Sequence, residues 1–173
     1  MQKKQIDRIL QVLLVVALCG FLYSIRDVFE EKIVQAGDSA PNFSVTTLDG
    51  RTVSKDNFGG KLLVLNFWAT WCPPCVEEFP SLNQLASNLQ SQGVVVLGVS
   101  VDKNEAAYKA FAQRNQPSFL IARDPEANIP ASYGSFKWPE TYVIDRSGKV
   151  VQKYIGPRDW NDPAIVNSIK ALL

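Results

Sequence analysis

The chain has 173 residues, 46% of them hydrophobic, which is enough for one well-packed domain. Eighteen basic residues against 17 acidic ones leave a formal charge of +1, and no basic block with interleaved aromatics occurs, so nothing supports nucleic-acid binding. No internal repeat or low-complexity tract is present. There is no histidine, so metal sites that draw on imidazole are excluded.

The first segment differs in kind from the rest. Residues 1–8 carry Lys3, Lys4 and Arg8, and an apolar run from Ile9 to Ile25 follows, interrupted by Gln11 and Ser24. A bilayer span takes about 20 apolar residues, so residues 9–25 are expected as a short transmembrane anchor. The basic residues in front of it place the N-terminus in the cytoplasm and the remainder outside. A cleaved signal peptide is the competing expectation. It is disfavoured because no small-x-small site directly follows the run. Cys19, inside this segment, is taken as a small apolar residue rather than a lipidated one.

Residues 26–37 form a charged linker, and a domain is expected over 38–173. Asn42–Thr47 and Arg51–Ser54 alternate around Asp49-Gly50, a hairpin turn signal. Leu62–Trp68 is an apolar run of the kind a strand buried on both faces needs. After Ala69-Thr70-Trp71, Cys72-Pro73-Pro74-Cys75 opens a helix. Proline is tolerated there because its missing N–H would have had no partner. A cysteine at a helix N-terminus meets free backbone N–H groups and the positive end of the dipole, and both favour thiolate. Two intervening residues bring Cys75 within reach of a disulfide. Strand, CxxC and helix together point to thiol–disulfide redox chemistry. Zinc would need four ligands, and the third cysteine is the distant Cys19. A structural bridge closing so small a loop would remove little chain entropy. No metal and no cofactor are therefore expected.

With Cys75 as origin, Phe79, Leu82, Leu85 and Leu89 fall at about +40°, −20°, −80° and −40° around the helix. Glu78, at about −60°, shares that apolar stripe, whereas Glu77 points away. A carboxyl beside two cysteines on a core-facing stripe is desolvated, which raises its pKa and suits it to exchanging protons with them. The alternative is a helix glutamate that reaches sideways into water. Pro80 denies Val76 its helical partner.

Beyond Gly93, Val94–Val101 is a second buried strand. Lys103–Arg114 has helical spacing with Ala107, Ala110 and Phe111 inward. Phe119–Ala122 is a short strand, Asp124–Tyr133 carries a short helix, and Thr141–Asp145 and Lys149–Ile155 form an edge hairpin. A last helix starts at Asp162-Pro163, with Ile165, Val166, Ile169 and Leu172 inward.

FWATWCPPC followed by Glu and FP resembles the thioredoxin superfamily, and within it the membrane-anchored TlpA/ResA/CcmG-like thiol–disulfide oxidoreductases. The resemblance covers about Gly37 to Leu173. It implies a thioredoxin-like α/β fold, a central mixed β-sheet flanked by helices, with the N-terminal β-hairpin as an extension and one transmembrane helix ahead. It implies a functional glutamate at Glu78 and a cis-proline at Pro139 facing the CxxC, where a substrate segment pairs with the backbone. Trp71, Trp138, Pro139 and Glu140 are the expected docking residues; Trp138 stands where many relatives have a smaller residue. The buried acid that thioredoxin has six residues before the first cysteine is here Asn66.

The resulting expectation is an extracytoplasmic enzyme on the periplasmic side that reduces disulfides in partner proteins through Cys72 and Cys75, assisted by Glu78. By resemblance its substrate is an apocytochrome c or a related protein, and a membrane dithiol donor recharges it. Three alternatives are weighed. A dithiol oxidant would use the same residues. A peroxide reductase is disfavoured because no proline precedes Cys72 in its loop. A copper-delivery factor is disfavoured by the lack of His and Met near the site.

Overall fold

The computed structural model describes residues 2–29 and 33–173, with side chains in the first helix described at 6, 8 and 11–23. The chain divides into two units, Met1–Lys32 and Ile33–Leu173. In the first, a single helix α1 (Gln2–Phe29) carries uncharged, exposed side chains from Gln11 to Tyr23, among them Val12, Leu13, Leu14, Val15 and Val16. Among the described residues no helix is long and apolar enough to cross a membrane. Four positions of the run expected to span the bilayer, 9, 10, 24 and 25, have side chains outside the described ones.

Near the start of the second unit Val34 is buried, and its N–H donates to the Tyr133 carbonyl at 3.0 Å, four residues ahead of the expected start at 38. β1 (Ser44–Thr46) and β2 (Thr52–Ser54) make the antiparallel hairpin. The main sheet takes β3 (Leu62–Trp68), β4 (Val94–Ser100), β5 (Leu120–Arg123), β6 (Glu140–Ile144) and β7 (Val150–Ile155) in the spatial order β5-β4-β3-β6-β7. β3, β4 and β5 run parallel; β6 is antiparallel to β3 and β7 to β6. The hairpin caps the β5 edge, where the Leu48 N–H donates to the Ile121 carbonyl at 2.8 Å and Thr47 bridges to Ala122. An edge covered in this way offers no row of free backbone groups to another chain.

Four helices complete the unit. α2 (Pro73–Leu89) leaves the end of β3, α3 (Glu105–Asn115) follows β4, α4 (Asn128–Ser132) lies between β5 and β6, and α5 (Pro163–Lys170) ends the chain. Because successive strand residues point to opposite faces, β3 feeds two cores. Leu63, Leu65 and Phe67 pack with Tyr133 and Tyr142, while Leu62 and Val64 pack with Leu82, Leu85, Leu89 and Trp160. Asn66 has the parity of the second set and so faces α2. Gly98 on β4 allows the closest approach: a Cβ there would sit 3.0 Å from Trp68 Nε1 and 3.1 Å from Phe119.

Most strand and helix ends fall within one or two residues of expectation, and one helical phase differs. On α3 the buried residues are Tyr108, Phe111 and Ala112; Ala107 is half-buried and Ala110 exposed. The Tyr108 ring, 6.2 Å from Trp68, turns the inward face by about one residue, 100°. Phe119 lies outside β5, because its ring packs on Phe79 at 5.3 Å.

Candidate active site

β3 ends at Trp68, and a three-residue loop carries the chain to Cys72, the N-cap of α2. Pro73 and Pro74 occupy the first helical turn. They leave the Cys75 N–H free to donate to Cys72 Sγ at 3.3 Å, an N-cap bond in which sulfur replaces the usual oxygen. Cys72 and Cys75 are joined in a disulfide, their Cα atoms 5.3 Å apart. Cys75 is buried at 1% exposure and Cys72 is barely open at 6%. Both belong to a cluster with Trp68, Phe79, Tyr108 and Phe111, against which Trp138 packs.

The loop ahead of the cysteines is held from β4. Asp102, buried just past that strand, accepts the Thr70 N–H at 2.9 Å and the Thr70 hydroxyl at 2.6 Å, and the Ser100 hydroxyl donates to it as well. Asp102 was not anticipated. The available signal was an acid directly after an apolar strand, at the carboxyl end of a parallel sheet where ligand sites collect. Beside this loop a cavity of about 500 Å³ is lined by Thr70, Trp71, Val101, Asn104 and Ala107. Trp71 stands 62% exposed next to Cys72.

Glu78 lies one helical turn beyond Cys75 and is 5% exposed. Oε1 accepts from Asn66 Nδ2 at 2.9 Å; Oε2 accepts from the Arg158 N–H at 3.0 Å and from Trp160 Nε1 at 3.3 Å. Asn66 Nδ2 also donates to Thr141 Oγ1 at 2.9 Å, its register partner on β6. Burial pushes the Glu78 carboxyl above its ordinary pKa of 4.5, and the Arg158, Asn66 and Trp160 donors, with the Arg158 charge, pull only partly the other way. A solvent-facing groove of about 470 Å³ between α2 and the 157–161 loop is lined by Glu78 together with Ser81 and Arg158. A larger cavity, about 580 Å³, lies at the other end of β4 beside Lys61 and Phe119 and touches none of these groups.

The Trp138–Pro139 peptide bond is cis, in agreement with the resemblance. Pro139 is buried; Trp138 is half-buried, its ring 6.4 Å from that of Phe67. The Pro139 carbonyl is occupied, accepting the Gly156 N–H at 2.9 Å. Glu140, expected at the docking surface, has its side chain turned inward at 4% exposure. It pairs with Lys153 Nζ at 2.9 Å, accepts from the Tyr142 hydroxyl at 3.0 Å and binds the Ser135 hydroxyl. Lys153 in turn donates to the Val34 carbonyl at 3.0 Å. The reason is alternation: residue 140 opens β6 pointing to the Tyr133–Tyr142 side, where β7 supplies a lysine. Glu140 therefore braces the proline loop from within.

The AhpC/TSA family profile matches residues 36–153, more than half of the chain. The chain belongs to the AhpC/TSA family. Within the family it is 36% identical over 150 residues to the thiol-disulfide oxidoreductase ResA of Bacillus thuringiensis subsp. konkukian, covering 84% of this chain and 86% of that one. ResA of Geobacillus kaustophilus is 34% identical over 155 residues, covering 90% and 89%. Among solved structures, a DsbE-type thiol:disulfide interchange protein from Chlorobium tepidum superposes with a TM-score of 0.75 at 32% identity, over 80% of this chain and 98% of that one. This AhpC/TSA member has the thioredoxin-like fold, and its enzyme class is thiol–disulfide oxidoreductase.

Proposed function

We propose that the protein is an extracytoplasmic reductase of protein disulfides in which Cys72 is the attacking sulfur, Cys75 the resolving sulfur and Glu78 the proton carrier. The observation that carries this reading is the Cys72 N-cap, a sulfur that receives the Cys75 N–H at the positive end of α2. Cys72 thiolate attacks one sulfur of the partner's disulfide, and the other partner sulfur leaves as thiolate. Cys75, deprotonated, then attacks Cys72 Sγ and expels the second partner thiolate. Two electrons pass to the partner, both partner sulfurs take up protons, and the Cys72–Cys75 disulfide results. Glu78 accepts the Cys75 proton. Trp71, Trp138 and the backbone beside Pro139 form the docking surface, and the Glu140 side chain supports it from below.

Residues 9–25 are the membrane anchor in this reading. Its support is that the described side chains from Gln11 to Tyr23 are uncharged and exposed around the whole helix, as a span in lipid requires. The partner is a disulfide-containing protein such as an apocytochrome c, and the electrons come from a membrane dithiol. The deciding experiment is the reduction potential in dithiothreitol buffers. A value near that of thioredoxin, about −270 mV, supports a reductant, whereas one near that of DsbA, about −120 mV, identifies an oxidant.

A further inference from the structure

The proton chemistry above needs Glu78 to meet water while a partner lies over the cysteines. Glu78 is reached from another side. The groove between α2 and the 157–161 loop is lined by Glu78 itself with Glu77, Pro80, Arg158, Asp159 and Asn161. Neither cysteine lines it, nor do Trp71, Trp138 and Pro139.

Trp160, on the same loop as Arg158 but not itself lining the groove, is fully buried and tied to α2 twice. Its indole N–H donates to Glu78 Oε2, and its main-chain N–H donates to Ser81 Oγ at 3.1 Å. That hydroxyl donates to the Glu78 carbonyl at 2.8 Å. The indole is also fixed edge-on against Tyr154 at 5.4 Å. With the Arg158 N–H, the indole engages both lone pairs of Oε2, while Oε1, bonded to Asn66 alone, keeps one.

We propose that Trp160 is a positioning residue of the redox reaction: with the Arg158 amide it fixes the carboxyl of Glu78, a residue that lines the groove, so that Glu78 exchanges its proton with solvent through that groove while a partner covers the cysteines. The proposal rests on the reading of Glu78 as proton carrier. The charged and titratable groups around Glu78 are Arg158 and Asp159 on the loop and Glu77, Cys72 and Cys75 on α2; Asn66 on β3 and Thr141 on β6 are neutral.

Nitrogen-15 NMR of the intact protein in detergent tests it, with the indole resonance assigned through its cross-peaks to the Tyr154 ring. The Trp160 indole N–H is expected to move with pH at the same midpoint as the Glu78 carboxyl carbon. It is expected to keep doing so when Cys75→Ser protein carries a peptide as a mixed disulfide on Cys72. Trp160→Phe removes a donor to the carboxylate and so favours the protonated form. It should raise the proton affinity of Glu78 about tenfold and move the acid limb of disulfide reduction about one pH unit upward. An indole resonance that ignores the Glu78 titration, or stops following it in the mixed disulfide, overturns the proposal even if Trp160→Phe fails to fold. Failure of the underlying reading looks different: Glu78→Gln would then leave the pH profile of reduction intact.

Discussion

Two glutamates lie buried close to the active site, Glu78 at 5% exposure and Glu140 at 4%, and they are satisfied in opposite ways. Glu140 faces a cation, Lys153, itself buried, together with two hydroxyls. Glu78 receives three N–H donors from an amide, an indole and the main chain, and its proton affinity rises through burial. Glu140, with a lysine and two hydroxyls beside it, is fully partnered and ties the loop ahead of β6 to β7. Glu78 has N–H donors and the Arg158 charge but, among the described residues, no ion-paired cation, and burial raises its proton affinity, as the proposed proton-carrier role requires. The same residue type thus has a cation for a partner at one end of β6 and N–H donors one helical turn past Cys75, where the proposed proton carrier sits.

The largest change expected is not at either glutamate but at the sulfur they flank: Cys72→Ser should abolish reduction of a disulfide substrate, while Cys75→Ser should trap the mixed disulfide, visible on non-reducing gels. The brace can be broken next. Lys153→Met leaves Glu140 charged, buried and unpaired, and should cost about 3–5 kcal/mol in urea unfolding; adding Glu140→Gln should recover most of that loss. A single Lys153→Met variant of unchanged stability would mean that Glu140 is no brace.

Glu78→Gln should behave in the reverse way, lowering the reduction rate by about 10²-fold near neutral pH with little loss of stability. Stability against pH sharpens the contrast. Because the folded pKa of Glu78 lies above the ordinary 4.5, the folded state binds the proton more tightly than the unfolded chain. Its contribution to stability is therefore greatest below about that ordinary value and declines as pH rises to the folded one. Denaturation across this window should show the decline in the wild type and its absence in Glu78→Gln.

Smaller effects are expected where no charge is at stake. Asp102→Ala frees the Thr70 N–H and hydroxyl and should cost about 1–3 kcal/mol, slowing attack by Cys72 as the loop loosens. Tyr108→Phe should be neutral or slightly stabilising, because the Tyr108 hydroxyl is buried without a hydrogen-bond partner among the described residues. Thermal melts of the two variants separate them.

Much of the fold was legible because its signals are local. The apolar run Leu62–Trp68 became β3 residue for residue, Asp49-Gly50 turned a hairpin, and Asp162-Pro163 capped the last helix. Helical phase alone brought Cys75, Phe79, Leu82 and Glu78 to one buried face. Long-range partners left no such trace. Nothing near Glu78 in sequence announces Arg158 and Trp160, some eighty residues away. Tyr108 was missed as the pivot of α3 because its fit depends on Trp68 across the core.

Local spacing determined that this chain carries a redox-type dithiol at a helix start and a carboxyl on the face behind it, since propensity, capping and periodicity act over a few residues. The tertiary structure alone decided what each buried carboxylate does. Strand register and the folding-back of the 157–161 loop chose a lysine for Glu140 and an indole for Glu78, and in a low-dielectric interior the nearest partners weigh heavily on a buried carboxyl.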